Sequence, residues 1–301
     1  MKHVDTSFLR GWDSLQPDAM ETVKPERRRP IALLSLPNTG SDWFASLLLK
    51  QNPALKYFRE FFNPICNPKY EDELRGAFGC EMVDNYQMIA KPHGPCEEVY
   101  RRTWAREKYN FTKENYSAFN LRWFHGKFDC FVLYRRVEMT LPGGRLQVKT
   151  WYDAMYGSLI KNKWSLERDV RALIDFAAAS ADTIAKRQVP AFVIYYYKLL
   201  KDAHRYNMPV LDYEKLMQSS PEEVVYLVRE LPGVVDAKQL AQDLCESRRP
   251  TQKNFGELRA DAFFAQLTAL ARTCGGDWVA ELAFQANGRR QPAGEKPVPA
   301  G

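Results

Sequence analysis

Short apolar runs alternate with longer amphipathic stretches along most of this chain. The first run, Ile31 to Leu36, stops at Pro37, and apolar residues then recur at helical spacing from Ser41 to Lys50. That pattern predicts a buried strand over 31–36, a tight turn and a helix over 41–50. Residues 57–66 are aromatic and carry a turn signal at Asn63-Pro64, and 87–91 reads as a further strand. Residues 97–127 are dense in Arg, Tyr, Trp and Phe and read as an inserted helical cap. A strand follows over 129–134, then a break at Pro142-Gly143-Gly144 and a helix over 151–161. Long helical patterns fill 167–187 and 195–206, with a strand over 208–212, a helix after Pro221 and a last helix over about 258–272. The Tyr195-Tyr196-Tyr197 run is expected to be half core and half surface. No internal repeat is visible.

Alternation of this kind predicts an α/β fold, a three-layer parallel sheet with helices on both faces. In such a sheet, ligands bind beyond the carboxyl ends of the strands. The expected organisation is a lead-in over 1–29, one α/β domain over 30–286 and a disordered tail over 287–301, rich in Pro and Gly.

Composition adds bounds. Hydrophobic residues at 45% and charged residues at 27% are those of a soluble globular chain. No apolar run reaches the roughly 20 residues of a spanning helix, and no secretory signal is visible, so a cytoplasmic protein with no membrane partner is expected. The six cysteines include no C-x-x-C pair, which predicts reduced thiols and no zinc site. Asn110-Phe111-Thr112 and Asn115-Tyr116-Ser117 are formal glycosylation sequons, of little weight without a signal peptide. A formal charge of +6 suits a polyanionic small ligand and is too dispersed for nucleic acid.

The chemistry concentrates at Pro37-Asn38-Thr39-Gly40-Ser41-Asp42-Trp43. A loop between strand and helix aims free N–H groups, and the positive end of the helix dipole, at an anion. The phosphate loop of nucleotide kinases needs G-x-x-x-x-G-K-[ST]; here the first Gly and the Lys are missing. The pattern P-x-[ST]-G-[ST]-x-W instead resembles the loop of sulfotransferases that use 3′-phosphoadenosine 5′-phosphosulfate (PAPS). Three further segments are similar to that family, in its order. Met88-Ile89-Ala90-Lys91-Pro92-His93 resembles the segment that carries the catalytic His. Phe131 to Tyr134 with Arg135-Arg136 resembles the strand end that grips the 3′-phosphate. Val210 to Leu216 with Ser219-Ser220-Pro221 resembles a block in which Tyr213 borders the adenine. The segment from Arg248 through Lys253 to Gly256 is a weaker match to the loop closing over the 3′-phosphate.

The resemblance implies the sulfotransferase version of the P-loop nucleoside-kinase-like fold and sulfuryl transfer from PAPS to a hydroxyl or amine of a small molecule or glycan, without a metal. It implies Pro37, Asn38, Thr39, Gly40, Ser41, Asp42, Trp43, Arg135, Tyr213, Arg248 and Lys253 as nucleotide contacts, and it leaves room for a homodimer. His93 is one candidate base. Glu60, in Glu60-Phe61-Phe62-Asn63-Pro64, is another, similar to the Glu-x-Phe-Asn-Pro segment of some bacterial members. Two departures stand out. Asn38 occupies the place of a Lys or Arg that steadies the leaving group, and Lys91 or one of Arg27, Arg28 and Arg29 is the expected substitute. The helical Ser expected after Arg135 is also missing, with Thr140 and Arg145 as candidate replacements. A nucleotide-binding pseudoenzyme on the same fold is the competing expectation.

Overall fold

The computed structural model describes residues 29–37, 39–60, 101–102, 104, 108–115, 118–136, 150–180, 184–248 and 262–275. In chain order the elements are β1 (Ile31–Leu34), α1 (Ser41–Gln51), β2 (Tyr57–Arg59), β3 (Phe111–Glu114), α2 (Leu121–Lys127), β4 (Asp129–Tyr134), α3 (Thr150–Asn162), α4 (Arg168–Ser180), α5 (Ile184–Arg205), β5 (Val210–Asp212), α6 (Tyr213–Gln218), α7 (Pro221–Val228), α8 (Ala237–Glu246) and α9 (Ala262–Gly275). The strands form one sheet in the order β2-β3-β1-β4-β5, with every pairing parallel.

Side chains alternate across a strand, so each sheet face feeds a separate core. Leu33, Phe131, Leu133 and Leu211 pack with Phe44 and Leu48 of α1, Leu216 of α6, Val224 of α7 and Leu240 of α8. Ala32, Leu34, Val132 and Tyr134 pack on the other face with α2, α4, α5 and α9. Helices on both faces of a parallel sheet make the expected three layers.

Three expectations need correction. Residues 97–127 do not form a helical cap throughout. Phe111–Glu114 is β3, paired with β2 on one side and β1 on the other. Its sequence, Phe-Thr-Lys-Glu, hides a central strand because three of its four residues are polar; they are buried by pairing with one another and with Glu60. The break between the long helices falls earlier than expected, and α5 runs through Pro190. A Pro inside a helix costs about 3 kcal/mol. Burial outweighs that cost here, since every residue from Ala191 to Leu200 is buried. The third correction follows from this. Tyr195, Tyr196 and Tyr197 are all inside, because α5 is wrapped by α2, α3, α4 and α9 as well as by the sheet. Among the described residues no helix is long and apolar enough to cross a membrane. The expected strand at 87–91 and the tail over 287–301 lie outside the described residues.

Candidate functional site

β1 sits between β3 and β4. Its outgoing connection leads to β2 on one side, whereas that of β4 leads to β5 on the other. The crevice between β1 and β4 is therefore a topological switch point, the place where open parallel sheets take ligands. The Gly40 turn follows β1 and Arg135 follows β4.

Gly40 is the N-cap residue of α1 and lies in the left-handed region at φ 87°. A Cβ placed there would stand 2.6 Å from Tyr213 Cε2. Glycine is thus required twice, for the turn and for the ring against it. On the same tyrosine the Arg135 guanidinium lies 4.5 Å from the ring centre. One aromatic ring therefore joins the turn after β1 to the cation after β4. Trp43 meets Tyr213 edge-on at 5.7 Å and donates its indole N–H to Ser247 Oγ at 3.0 Å. It anchors α1 to the end of α8.

Behind the ring, Glu214 is buried and accepts from Arg136 N at 3.2 Å and Arg135 Nε at 3.4 Å. Burial raises the pKa of Glu214, although the bond from Arg136 and the nearby arginine charges oppose it. Burial likewise raises the Tyr213 phenol, against the Arg135 charge. Thr39 is 0% exposed, and its Oγ1 has no hydrogen-bond partner. Pro37 and Ser41 are buried beside it.

A second network lies at the ends of β2 and β3. Glu60 has φ 46°, a left-handed conformation uncommon for a residue with a side chain. Its Oε1 accepts from Lys113 Nζ at 2.6 Å and from Asn115 Nδ2 at 2.8 Å. Lys113 also lies 3.1 Å from Asp42 Oδ1, and Asp42 pairs with Arg59 at 3.5 Å. Asn115 Oδ1 accepts from Ser35 Oγ at 2.9 Å and Ser41 Oγ at 3.1 Å. The network thus runs from the start of α1 to Glu60. Strain of this kind, held in place by several partners, gathers where ligands and reactions are handled.

The structure brings Pro37, Thr39, Gly40, Ser41, Asp42, Trp43, Arg135 and Tyr213 together, and it ties Glu60 to them through Asn115 and Lys113. Arg248 is differently used. Its guanidinium donates to the carbonyls of Leu216 and Ser219 at the end of α6, which it caps. Asn38, Lys91, His93, Lys253, Arg27, Arg28, Thr140 and Arg145 lie outside the described residues. Sequence reasoning missed Lys113 and Asn115. The only sign of either was the sequon at Asn115, which points to a different chemistry.

No family model, curated protein or solved structure matches the chain.

Proposed function

We propose that the chain is a PAPS-dependent sulfotransferase acting on a hydroxyl or amine of a small molecule or glycan. The observation that carries this reading is the Tyr213 ring, which touches both the Gly40 turn and the Arg135 guanidinium at the switch-point crevice. A nucleotide with phosphates at two corners needs two anion grips a short distance apart. The first-turn amides of α1 suit one phosphate and Arg135 the other. The unpartnered Thr39 hydroxyl adds a donor at the first grip. Bound there, the donor supplies an electrophilic sulfuryl group.

The remaining work falls to this chain's own side chains. The acceptor must lose a proton, and Glu60 is the carboxylate beside the loop able to take it. Positive charge is needed near the phosphosulfate in place of the cation that Asn38 replaces, and Lys91 is the candidate for it, since Lys113 is buried and paired with both Glu60 and Asp42. His93 remains the alternative base. The pseudoenzyme reading draws on one observation: Glu60 Oε1 accepts from Lys113 and Asn115, a use that stability alone would explain.

Thermal-shift titration of the full chain with 3′-phosphoadenosine 5′-phosphate (PAP), PAPS, ATP and GTP tests the reading. PAP and PAPS are expected to raise Tm, and Arg135→Ala to abolish the rise. Stabilisation by ATP without PAP would overturn it. Thr39→Val is expected to leave unliganded stability unchanged and to weaken PAP about tenfold, the loss of one hydrogen bond to a charged group. Transfer of labelled sulfate from PAPS to an acceptor panel then separates enzyme from pseudoenzyme.

A further inference from the structure

The register of β4 against β5 sets Tyr134 opposite Asp212, so the next residues along, Arg135 and Tyr213, leave their strands side by side. Asp212 is the N-cap residue of α6, and its Oδ1 accepts from Lys215 N at 3.2 Å. Arg248 closes the other end of that helix through the carbonyls of Leu216 and Ser219. Leu216 is buried in the core. The short helix is thus fixed at both ends and on its inner side, and Tyr213 and Glu214, its first two residues, have set positions.

Both reach Arg135. The Tyr213 ring centre lies 4.5 Å from the guanidinium, and Glu214 Oε1 accepts from Arg135 Nε at 3.4 Å. Glu214 Oε2 accepts from the backbone N–H of Arg136 at 3.2 Å, which ties down the chain on which Arg135 stands. A ring face restrains the guanidinium in one direction, and an acceptor on Nε restrains it in another. A carboxylate on Nε is compatible with a phosphate on the terminal nitrogens, because the planar guanidinium offers separate edges.

A long, flexible Arg loses rotamer freedom when it grips a ligand. Here the ordering is in place beforehand, and a grip ordered in advance binds more tightly. The burial of Glu214 argues the same way. Burial raises its pKa, the mark of a charge that the fold accommodates at a cost. A buried ion pair adds little stability over apolar residues of similar volume. Glu214 also cancels part of the Arg135 charge, so what it offers an anion is orientation and not attraction. We propose that Glu214 is the positioning residue of the 3′-phosphate grip, and that through Arg135 it sets the preference for a 3′-phosphorylated nucleotide over its 3′-hydroxyl counterpart; this rests on the PAPS reading above.

Calorimetric titration of the full chain with PAP and with adenosine 5′-phosphate (AMP) provides the test, because their affinity ratio reads the 3′-phosphate grip alone. Wild type is expected to prefer PAP about a hundredfold, the worth of a strong contact between charged groups. Glu214→Ala is expected to cut that preference about tenfold while AMP affinity changes less than about twofold. Glu214→Gln keeps the volume and one acceptor oxygen. It is expected to stay within about threefold of wild type, and it carries the comparison if Glu214→Ala does not fold. Arg135→Ala, alone or with Glu214→Ala, is expected to bind PAP no better than AMP. No preference for PAP in wild type would overturn the PAPS reading and this inference together. With that preference present, three results overturn the inference alone: an unchanged ratio in Glu214→Ala, equal losses for PAP and AMP, or a preference that rises in Glu214→Gln. The second would make Glu214 merely structural, and the third would make its charge a hindrance to the phosphate.

Discussion

Lys113 Nζ stands 2.6 Å from Glu60 Oε1, and neither side chain is more than 5% exposed. The pair joins β3, a strand inside the sheet, to the residue just after β2. Removing one member of a buried pair strands the other, at a cost of about 3–5 kcal/mol. Lys113→Met is therefore expected to lower unfolding free energy by about that much. Adding Glu60→Gln should recover most of it, because the uncompensated carboxylate is gone. Denaturant melts of the two single variants and the double variant measure the coupling. Additive losses would mean that the two groups do not interact.

Gly40 combines a left-handed backbone with a ring at closest approach. For Ala at this place the conformation costs about 1–2 kcal/mol, and the clash adds about 1–3. Gly40→Ala is expected to lose about 2–5 kcal/mol. In a Tyr213→Ala background the same change should cost only the backbone part. Thermal unfolding of the four proteins decides, and an equal cost in both backgrounds would show that the ring does not press on the turn.

A third prediction concerns acid. Lys201 donates to Glu167 and to Asp169, and Tyr197 donates to Asp169 as well. Burial pushes both carboxyls up, yet the bond from Lys201 and the surrounding positive charge outweigh it and hold both below their ordinary values of 4.5 and 3.8. Their stabilisation is then fully present above those values and is lost as pH falls through the lowered ones. Asp202, raised by burial despite its bond to Lys198, works in the opposite direction, losing stability as pH rises above 3.8. Lys201→Met should flatten the loss of stability between pH 5 and pH 2. Solvent screening keeps the effect modest, since the Glu167 side chain is about one third exposed. Unfolding curves across that range that superimpose in slope on the wild type would exclude this network as an acid-sensitive element.

Cys130 lies on β4 with its thiol buried against the core. Burial pushes its pKa up to about 12, with Arg29 opposing and Asp129 reinforcing the rise. A thiol in that state holds almost no thiolate at pH 8. Alkylation followed by peptide mapping is expected to mark the partly exposed Cys245 in the native protein and to reach Cys130 only on unfolding. Comparable native rates at the two sites would contradict the packing of β4.

The apolar stretches at 31–34 and 129–134, the Gly40 turn and the helix that begins at Pro221 were legible because each is a local property of side chains and turn chemistry. So was the parallel sheet with helices on both faces, since apolar strands alternating with amphipathic helices have few other ways to be buried. Other features were decided only by tertiary packing. β3 reads as polar, and it is a central strand because Glu60 and Thr112 satisfy its charged side chains from neighbouring positions. α5 overrides its own Pro190 because helices enclose it. Arg248, in a segment that resembles a phosphate-binding loop, closes the end of α6. Lys113 and Asn115 entered the candidate site for the same reason. Which polar group meets which across 50 or more residues depends on strand order and register, and periodicity along a chain carries no record of either.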